Sequence, residues 1–375
     1  MDLSDLSDLS DLSDLFYGEG KMARIAIDAM GGDYAPKNIV EGSLWAAMEY
    51  GVALELVGRQ DEIQQELDRI KSVGYILSDC GTKGHKRKIK IDLDKIDYTI
   101  THASEVIGMG EAVGQSIRRK KDSSIVASVN AVAQGRCEAV VSAGSTGAAM
   151  AASLFGLGRI SGITRPAIAV LLPTTKQPLV LIDGGANSDC TPGMLTQFAE
   201  MGVAYAKLSL GIENPKLGIL SIGEEEGKGN ELVKETYPLL KQMHEDGRFE
   251  FVGNIEGKEV FKNKADVVVA DGFAGNIVLK ITESTASMLL KMIKNEFKSD
   301  IVGSIIGLMA KPFLRRILKR INWEVYGGML LLGVNGISVI AHGRSSAYAM
   351  KNAVGAAVRV LNKDINSKIS ESINR

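Results

Sequence analysis

The chain has 375 residues and a formal net charge of −1, so no overall field draws it to nucleic acid or an acidic membrane. Its 45% hydrophobic and 24% charged residues are those of a globular protein, long enough for one large or two medium domains. Three scattered cysteines (Cys80, Cys137, Cys190) and four histidines without ligand spacing argue against disulfides and a zinc site, and fit a reducing cytoplasm.

Asp-Leu-Ser repeats from Asp2 to Leu15 with a period of three, which follows no helix face and lacks the basic start of a signal peptide. Residues 1–22 read as a flexible tail or foreign leader, and 23–375 as one α/β catalytic domain with a helical extension over 277–322. A strand is expected over 24–28, a helix over 36–50 with Pro36 in its first turn, a strand over 53–57 and a helix over 61–70. The pattern weakens from 73 to 95, where the basic run over 83–88 reads as a solvated loop. Two helices are expected within 111–135, with Asp122 or Ser123 as the N-cap between them. Strands and helices then alternate, which predicts βαβ units. From Ile277 apolar residues recur at helical spacing through Phe297, and a second helical stretch over 300–321 should kink or break at Pro312. A strand over 337–340 and a closing helix follow. No stretch reaches the roughly 18 uncharged apolar residues that would span a bilayer.

Five of these strands run straight into glycine-rich polar loops. The loops are Met30-Gly31-Gly32-Asp33, Ala143-Gly144-Ser145-Thr146-Gly147, Gly184-Gly185-Ala186-Asn187 after Asp183, Gly223-Glu224-Glu225-Glu226-Gly227, and Asp271-Gly272-Phe273-Ala274-Gly275-Asn276. Continuous apolar runs suit strands covered on both faces of a parallel sheet, and ligands bind outside the carboxyl ends of such strands. Glycine there lets amides approach an anion, and a helix starting just after adds its positive end. The pattern points to an enzyme that handles an anion.

Dinucleotide and P-loop spacings are both missing, and the Gly223 loop carries three glutamates where phosphates would lie. No histidine pairs visibly with Ser145; the bland explanation is a tight strand–helix turn with Ser145 or Thr146 capping the next helix. The Asp183–Asn187 and Asp271–Asn276 loops look like one device used twice, although turn chemistry alone favours these residues. His342-Gly343-Arg344-Ser345 repeats the arrangement. Arg118-Arg119-Lys120-Lys121 is either a solvated face or a dock for an acidic partner. The basic half-helix with Phe313, Leu314, Arg316, Ile317, Lys319 and Arg320 suits a bilayer surface or a dimer helix.

Six ordered motifs, spread over about 23–361, resemble bacterial acyl-carrier-protein:phosphate acyltransferases of phospholipid synthesis. They are the Ile25–Asp33 opening, Arg118–Ser124, Ser142–Ala148, Asp183–Asn187, Gly223–Asn230 and Asp271–Asn276. The resemblance implies a three-layer α/β/α sandwich with a largely parallel sheet, like phosphotransacetylases and the isopropylmalate dehydrogenase group, plus long helices for dimerisation. It implies transfer of a long-chain acyl group from acyl carrier protein to inorganic phosphate, without a cofactor or metal. A membrane glycerol-3-phosphate acyltransferase would use the product. It also implies a cytoplasmic homodimer held peripherally at the membrane, with no nucleic-acid partner.

Phosphate is already an anion and needs positioning more than deprotonation. Phosphate and oxyanion binding are therefore assigned to Gly144, Ser145, Thr146, Gly147, Gly184, Gly185, Gly275, Asn187 and Asn276, with His342 and Arg344 as further contacts. Asp183 and Asp271 would orient these donors, and Arg118, Arg119, Lys120 and Lys121 would meet the carrier protein. Two alternatives stay open: a membrane-associated scaffold whose loops are purely structural, and a short-chain phosphotransacetylase using coenzyme A.

Overall fold

A computed structural model describes residues 22–79, 86–361 and 363–374, without the side chains of Arg315, Leu318, Lys319, Arg320 and Trp323. The Asp-Leu-Ser repeat, Cys80 and residues 83–85 lie outside it. The chain begins with β1 (Arg24–Asp28), α1 (Lys37–Tyr50), β2 (Ala53–Gly58) and α2 (Gln60–Val73), close to the expected bounds. Next come β3 (Tyr75–Asp79), β4 (Lys86–Lys90), β5 (Tyr98–His102), α3 (Val113–Arg119), α4 (Ser124–Ala133), β6 (Ala139–Ser142) and α5 (Thr146–Leu157). The middle of the chain supplies β7 (Ala167–Leu172), β8 (Leu179–Ile182), α6 (Pro192–Leu210), β9 (Lys216–Ser221), α7 (Glu231–Glu245), β10 (Glu250–Glu256) and β11 (Val267–Val269). It closes with α8 (Gly272–Glu296), α9 (Ile301–Ile321), β12 (Met329–Leu332), β13 (Ile337–Ile340), α10 (Ala347–Leu361) and α11 (Ile365–Ile373).

Two local expectations need correction. Part of the basic run is not loop: Lys86–Lys90 is a solvated strand paired antiparallel with β3, its long side chains standing in water. Pro312 does not break the late helix, since α9 runs through it. Ser123 stands at the N-cap of α4 but its side chain makes no cap bond.

Eleven strands form one sheet in the order β10-β9-β11-β8-β7-β12-β13-β6-β1-β2-β5. Its layers follow from strand alternation: Ile25 and Ile27 point to one apolar cluster and Ala26 to the other. The first cluster takes Leu44, Leu67, Phe198, Leu240 and Met350 from α1, α2, α6, α7 and α10. The second takes Ile117, Val129, Ala149 and Leu279 from α3, α4, α5 and α8. The result is the expected three-layer α/β/α arrangement.

The sheet is parallel except around β7 and β12. β13, β6, β1, β2 and β5 run together, as do β8, β11, β9 and β10. Between them β12 is antiparallel to both β13 and β7, and β7 is antiparallel to β8. Three reversals turn the second parallel set against the first, so their carboxyl ends face opposite edges of the sheet. The edge strand β10 also carries a register shift between Phe251 and Asn254.

Helices α8 and α9 pack less against the body of the fold than the others. Of the 25 residues of α8 only Gly272, Gly275 and Leu279 are buried. Its outer length and α9 display Ile281, Met288, Met292, Ile305, Met309 and Phe313 to solvent. Among the described residues, no helix is long and apolar enough to cross a membrane.

Candidate active site

At the first carboxyl edge, the loops after β1, β6 and β13 are stitched together. The Asp28 side chain ends β1 fully buried, and the Ser142 hydroxyl at the end of β6 donates to its Oδ2 at 2.6 Å. The Gly144 amide donates to Ser142 Oγ at 3.1 Å. A Cβ on Gly31 would lie 2.6 Å from Asp28 Oδ2 and 2.7 Å from the Gly144 nitrogen, so this crossing of chains admits only glycine. The Asp33 amide donates to the Gly343 carbonyl at 2.8 Å, tying the first loop to the third. Asn38 of α1 donates to the Ser345 carbonyl at 3.2 Å.

This cradle faces the start of α5. Ser145 occupies the N-cap position, yet its side chain makes no cap bond, so the capping explanation fails there. Thr146 and Gly147 open the helix, whose first amides have no intrahelical partner and whose dipole is positive at this end. His342, half-buried, lies in the neighbouring loop after β13, which the Ala341 amide ties to the Ser142 carbonyl at 2.8 Å. The Arg344 amide donates to its Nδ1 at 3.1 Å, which assigns the remaining proton to Nε2. Burial first, then the nearby Lys280 charge, hold its pKa below the ordinary imidazole value. The imidazole is thus a neutral N–H donor. Arg344 itself is exposed, 3.7 Å from Asp33.

The opposite edge holds the twin loops. Asp183, with no exposure, accepts from the amides of Ile168, Gly185, Ala186 and Asn187 at 2.8–3.1 Å, and from Asn187 Nδ2 at 2.9 Å. Burial pushes its pKa up and these donors pull it back. Asn187 Nδ2 also donates to the Pro166 carbonyl, so this amide is spent internally rather than offered to a ligand. Asp271 is an ordinary N-cap, accepting from the Ala274 amide at 2.7 Å. Gly272 and Gly275 let α8 begin against this loop: a Cβ on Gly275 would lie 1.9 Å from the Asp183 carbonyl oxygen. Gly184 abuts Val170, and Gly185 borders the exposed Asn276.

The structure therefore divides the expected set. Gly144, Ser145, Thr146, Gly147, His342 and Arg344 gather at one edge, while Asp183, Gly184, Gly185, Asn187, Asp271, Gly275 and Asn276 gather at the other. The reason is the reversal at β7 and β12. Helix α8 connects the two, starting in the second cluster and bringing Lys280 and Glu283 near enough for His342 to feel their charges. Those residues lie about 12–16 Å along the helix from Gly272. Of the four docking cations, Arg118, Arg119 and Lys121 are exposed. Lys120 instead binds Glu111 and the Val106 carbonyl at 2.6 and 2.8 Å. Phe313 and Ile317 are exposed, with Arg316 over the Phe313 ring, and Leu314 is half-covered. The Lys319 and Arg320 side chains lie outside the described ones.

The sequence reading missed Asp28, Ser142 and Lys280. A signal for the first two was present, since both are polar residues ending otherwise apolar strands.

The three-layer α/β/α fold is the one seen in solved phosphotransacetylases. A phosphotransacetylase from Streptococcus pyogenes matches 96% of the chain and 99% of its own, with a TM-score of 0.61 at 18% identity. The EutD phosphotransacetylase from Staphylococcus aureus matches with a TM-score of 0.56 over 95% of this chain and 99% of its own, at 16% identity. Sequence narrows the class. Residues 23–368 match the family model described as a fatty acid synthesis protein. The phosphate acyltransferase of Heliobacterium modesticaldum is 47% identical over 350 residues, 93% of this chain and 97% of that one. That of Dictyoglomus turgidum is 43% identical over 353 residues, 94% and 98% of the two chains. The chain belongs to this family of acyltransferases of fatty acid and phospholipid synthesis.

Proposed function

We propose that this chain moves a long-chain acyl group from acyl carrier protein to inorganic phosphate. The observation that carries the reading is the α5 N-terminus, set among three interlocked glycine loops, one of which carries the half-buried His342. Loop and helix amides from Ser145 to Gly147 bind the phosphate. Its oxygen attacks the thioester carbon; the C–O bond forms, and the carbonyl oxygen gains charge that His342 Nε2–H stabilises. The C–S bond then breaks. A thiol of pKa about 8.5 leaves as thiolate with little help and takes a proton from solvent. Asn276 and the Asp183 loop hold the base of α8 and present its apolar side to the acyl chain.

The exposed apolar lengths of α8 and α9 serve as a homodimer interface, and the Phe313–Arg320 stretch touches the membrane surface. There the product would meet a membrane glycerol-3-phosphate acyltransferase. Arg118, Arg119 and Lys121 receive the acidic carrier protein. The test is acyl phosphate formation from palmitoyl carrier protein and phosphate, trapped with hydroxylamine. Phosphate-dependent product from that donor supports the reading. Equal turnover of palmitoyl coenzyme A would replace it with a coenzyme A phosphotransacetylase. No product from either donor would leave a binding protein.

A further inference from the structure

The mechanism above makes no use of Asp28, the most deeply buried acid beside the anion loop. Among the described residues its Oδ1 has no hydrogen-bond partner of ordinary geometry and its carboxyl has no ion-pair partner. The groups that ease its burial are all neutral: the Ser124 and Ser142 hydroxyls and the Met30 and Gly31 amides. Asp28 also lines a cavity of about 10 Å³, room for one water, together with Ser124, Ser142, Gly144 and Ser145. A carboxylate in such a place would be a buried, unpaired charge, which proteins avoid by taking up a proton. Burial indeed pushes its pKa up. Charge would also be misplaced functionally. Asp28 Oδ2 lies 3.4 Å from where a Gly144 side chain would begin, in the same loop crossing whose following amides the proposed function gives to an anion.

We propose that Asp28 is the positioning residue of the anion loop, an uncharged acid that anchors the Gly144 peptide through Ser142, so aims the amides that follow it, Ser145 to Gly147, and sets the affinity for inorganic phosphate. The chain of contacts is short and specific: Asp28 Oδ2 to Ser142 Oγ, Ser142 Oγ to the Gly144 amide, with Gly31 making room. The proposal rests on the phosphate-acyltransferase reading for its ligand but not for its chemistry.

The test uses the full chain with Asp28→Asn, Asp28→Ala and Ser142→Ala. Three quantities are read: the Kd for inorganic phosphate by calorimetry, the KM-against-kcat split in the hydroxylamine assay, and the carboxylic-acid carbonyl band in the wild-type minus Asp28→Asn infrared spectrum. Asn is the uncharged isostere, so it keeps phosphate affinity near wild type. Ala and Ser142→Ala weaken phosphate by about tenfold, the worth of one hydrogen bond, with kcat at saturating phosphate little changed. The infrared difference shows a protonated acid at neutral pH. The proposal is overturned if Asn weakens phosphate as much as Ala, if no acid band appears, or if neither Ala variant changes the Kd. Should Asp28→Ala not fold, Ser142→Ala and the infrared band decide. A wild type that binds phosphate and shows the band but forms no acyl phosphate would sink the transferase reading and leave Asp28's role standing.

Discussion

Asp183 and Asp271 occupy matching places in two look-alike motifs, and replacing each with Asn separates them. At Asp183 both carboxyl oxygens accept: Oδ1 from three amides, Oδ2 from the amide and the side chain of Asn187. An amide can keep only one acceptor, so at least two buried donors lose their partner and face an N–H instead. At about 1–3 kcal/mol for each orphaned group, Asp183→Asn costs about 2–6 kcal/mol. At Asp271 a single amide is served, and Asn caps helices as well as Asp does, so Asp271→Asn costs at most a few tenths to ~1 kcal/mol. Urea unfolding monitored by circular dichroism, with unchanged slope, gives both numbers. The reasoning is refuted if Asp183→Asn falls within 1 kcal/mol of wild type, a bound set by the weakest hydrogen-bond estimate, or if the two variants cost the same.

Three further outcomes follow from the same geometry. Gly275→Ala places a methyl on the Asp183 carbonyl and should destabilise by more than the 1–3 kcal/mol typical of overpacking, because backbone cannot yield as a side chain does; thermal unfolding checks this. His342 is held neutral to lower pH than a free imidazole, so wild-type kcat/KM should stay free of a histidine limb down through about pH 6.5, and Gln at 342 should remove any limb found below it. A limb at or above that value contradicts the assignment. The sign for stability is the same: the unfolded chain takes the proton first, so this group's contribution is lost as pH falls below about 6.5. Arg118→Glu with Arg119→Glu should raise KM for acyl carrier protein while leaving KM for phosphate alone; a rise in both would move the docking surface elsewhere.

Layering and most strands were readable because buried strands such as Leu179–Ile182 and Val267–Val269 are unbroken apolar runs that lead into an aspartate and a glycine turn. The late helices were readable from their periodicity. What could not be read was direction. Nothing in Ala167–Leu172 or Met329–Leu332 says that these strands run against their neighbours, because antiparallel pairing is a property of partners and not of composition. That gap alone made one anion site out of two clusters. The roles of the two aspartates were hidden for a similar reason. Local sequence shows an Asp before a glycine turn in both; the turn after Asp183 folds its own amides and the Asn187 side chain back onto the carboxylate, and the distant Ile168 amide completes the hub.

The bulge in β10 and the cations of β4 bear on how copies of this chain meet. An open strand edge invites pairing with another chain, and aggregation is the ordinary result. β10 ends one flank of the large sheet, where the shift between Phe251 and Asn254 spoils a regular ladder. β4 forms an edge of the small hairpin, and its exposed Lys86, Arg87, Lys88 and Lys90 repel any like copy. With these two edges blunted, strand-to-strand pairing through them is disfavoured, which leaves the exposed apolar faces of α8 and α9 as surface of a different kind, where contact would be side chain to side chain rather than an open-ended ladder.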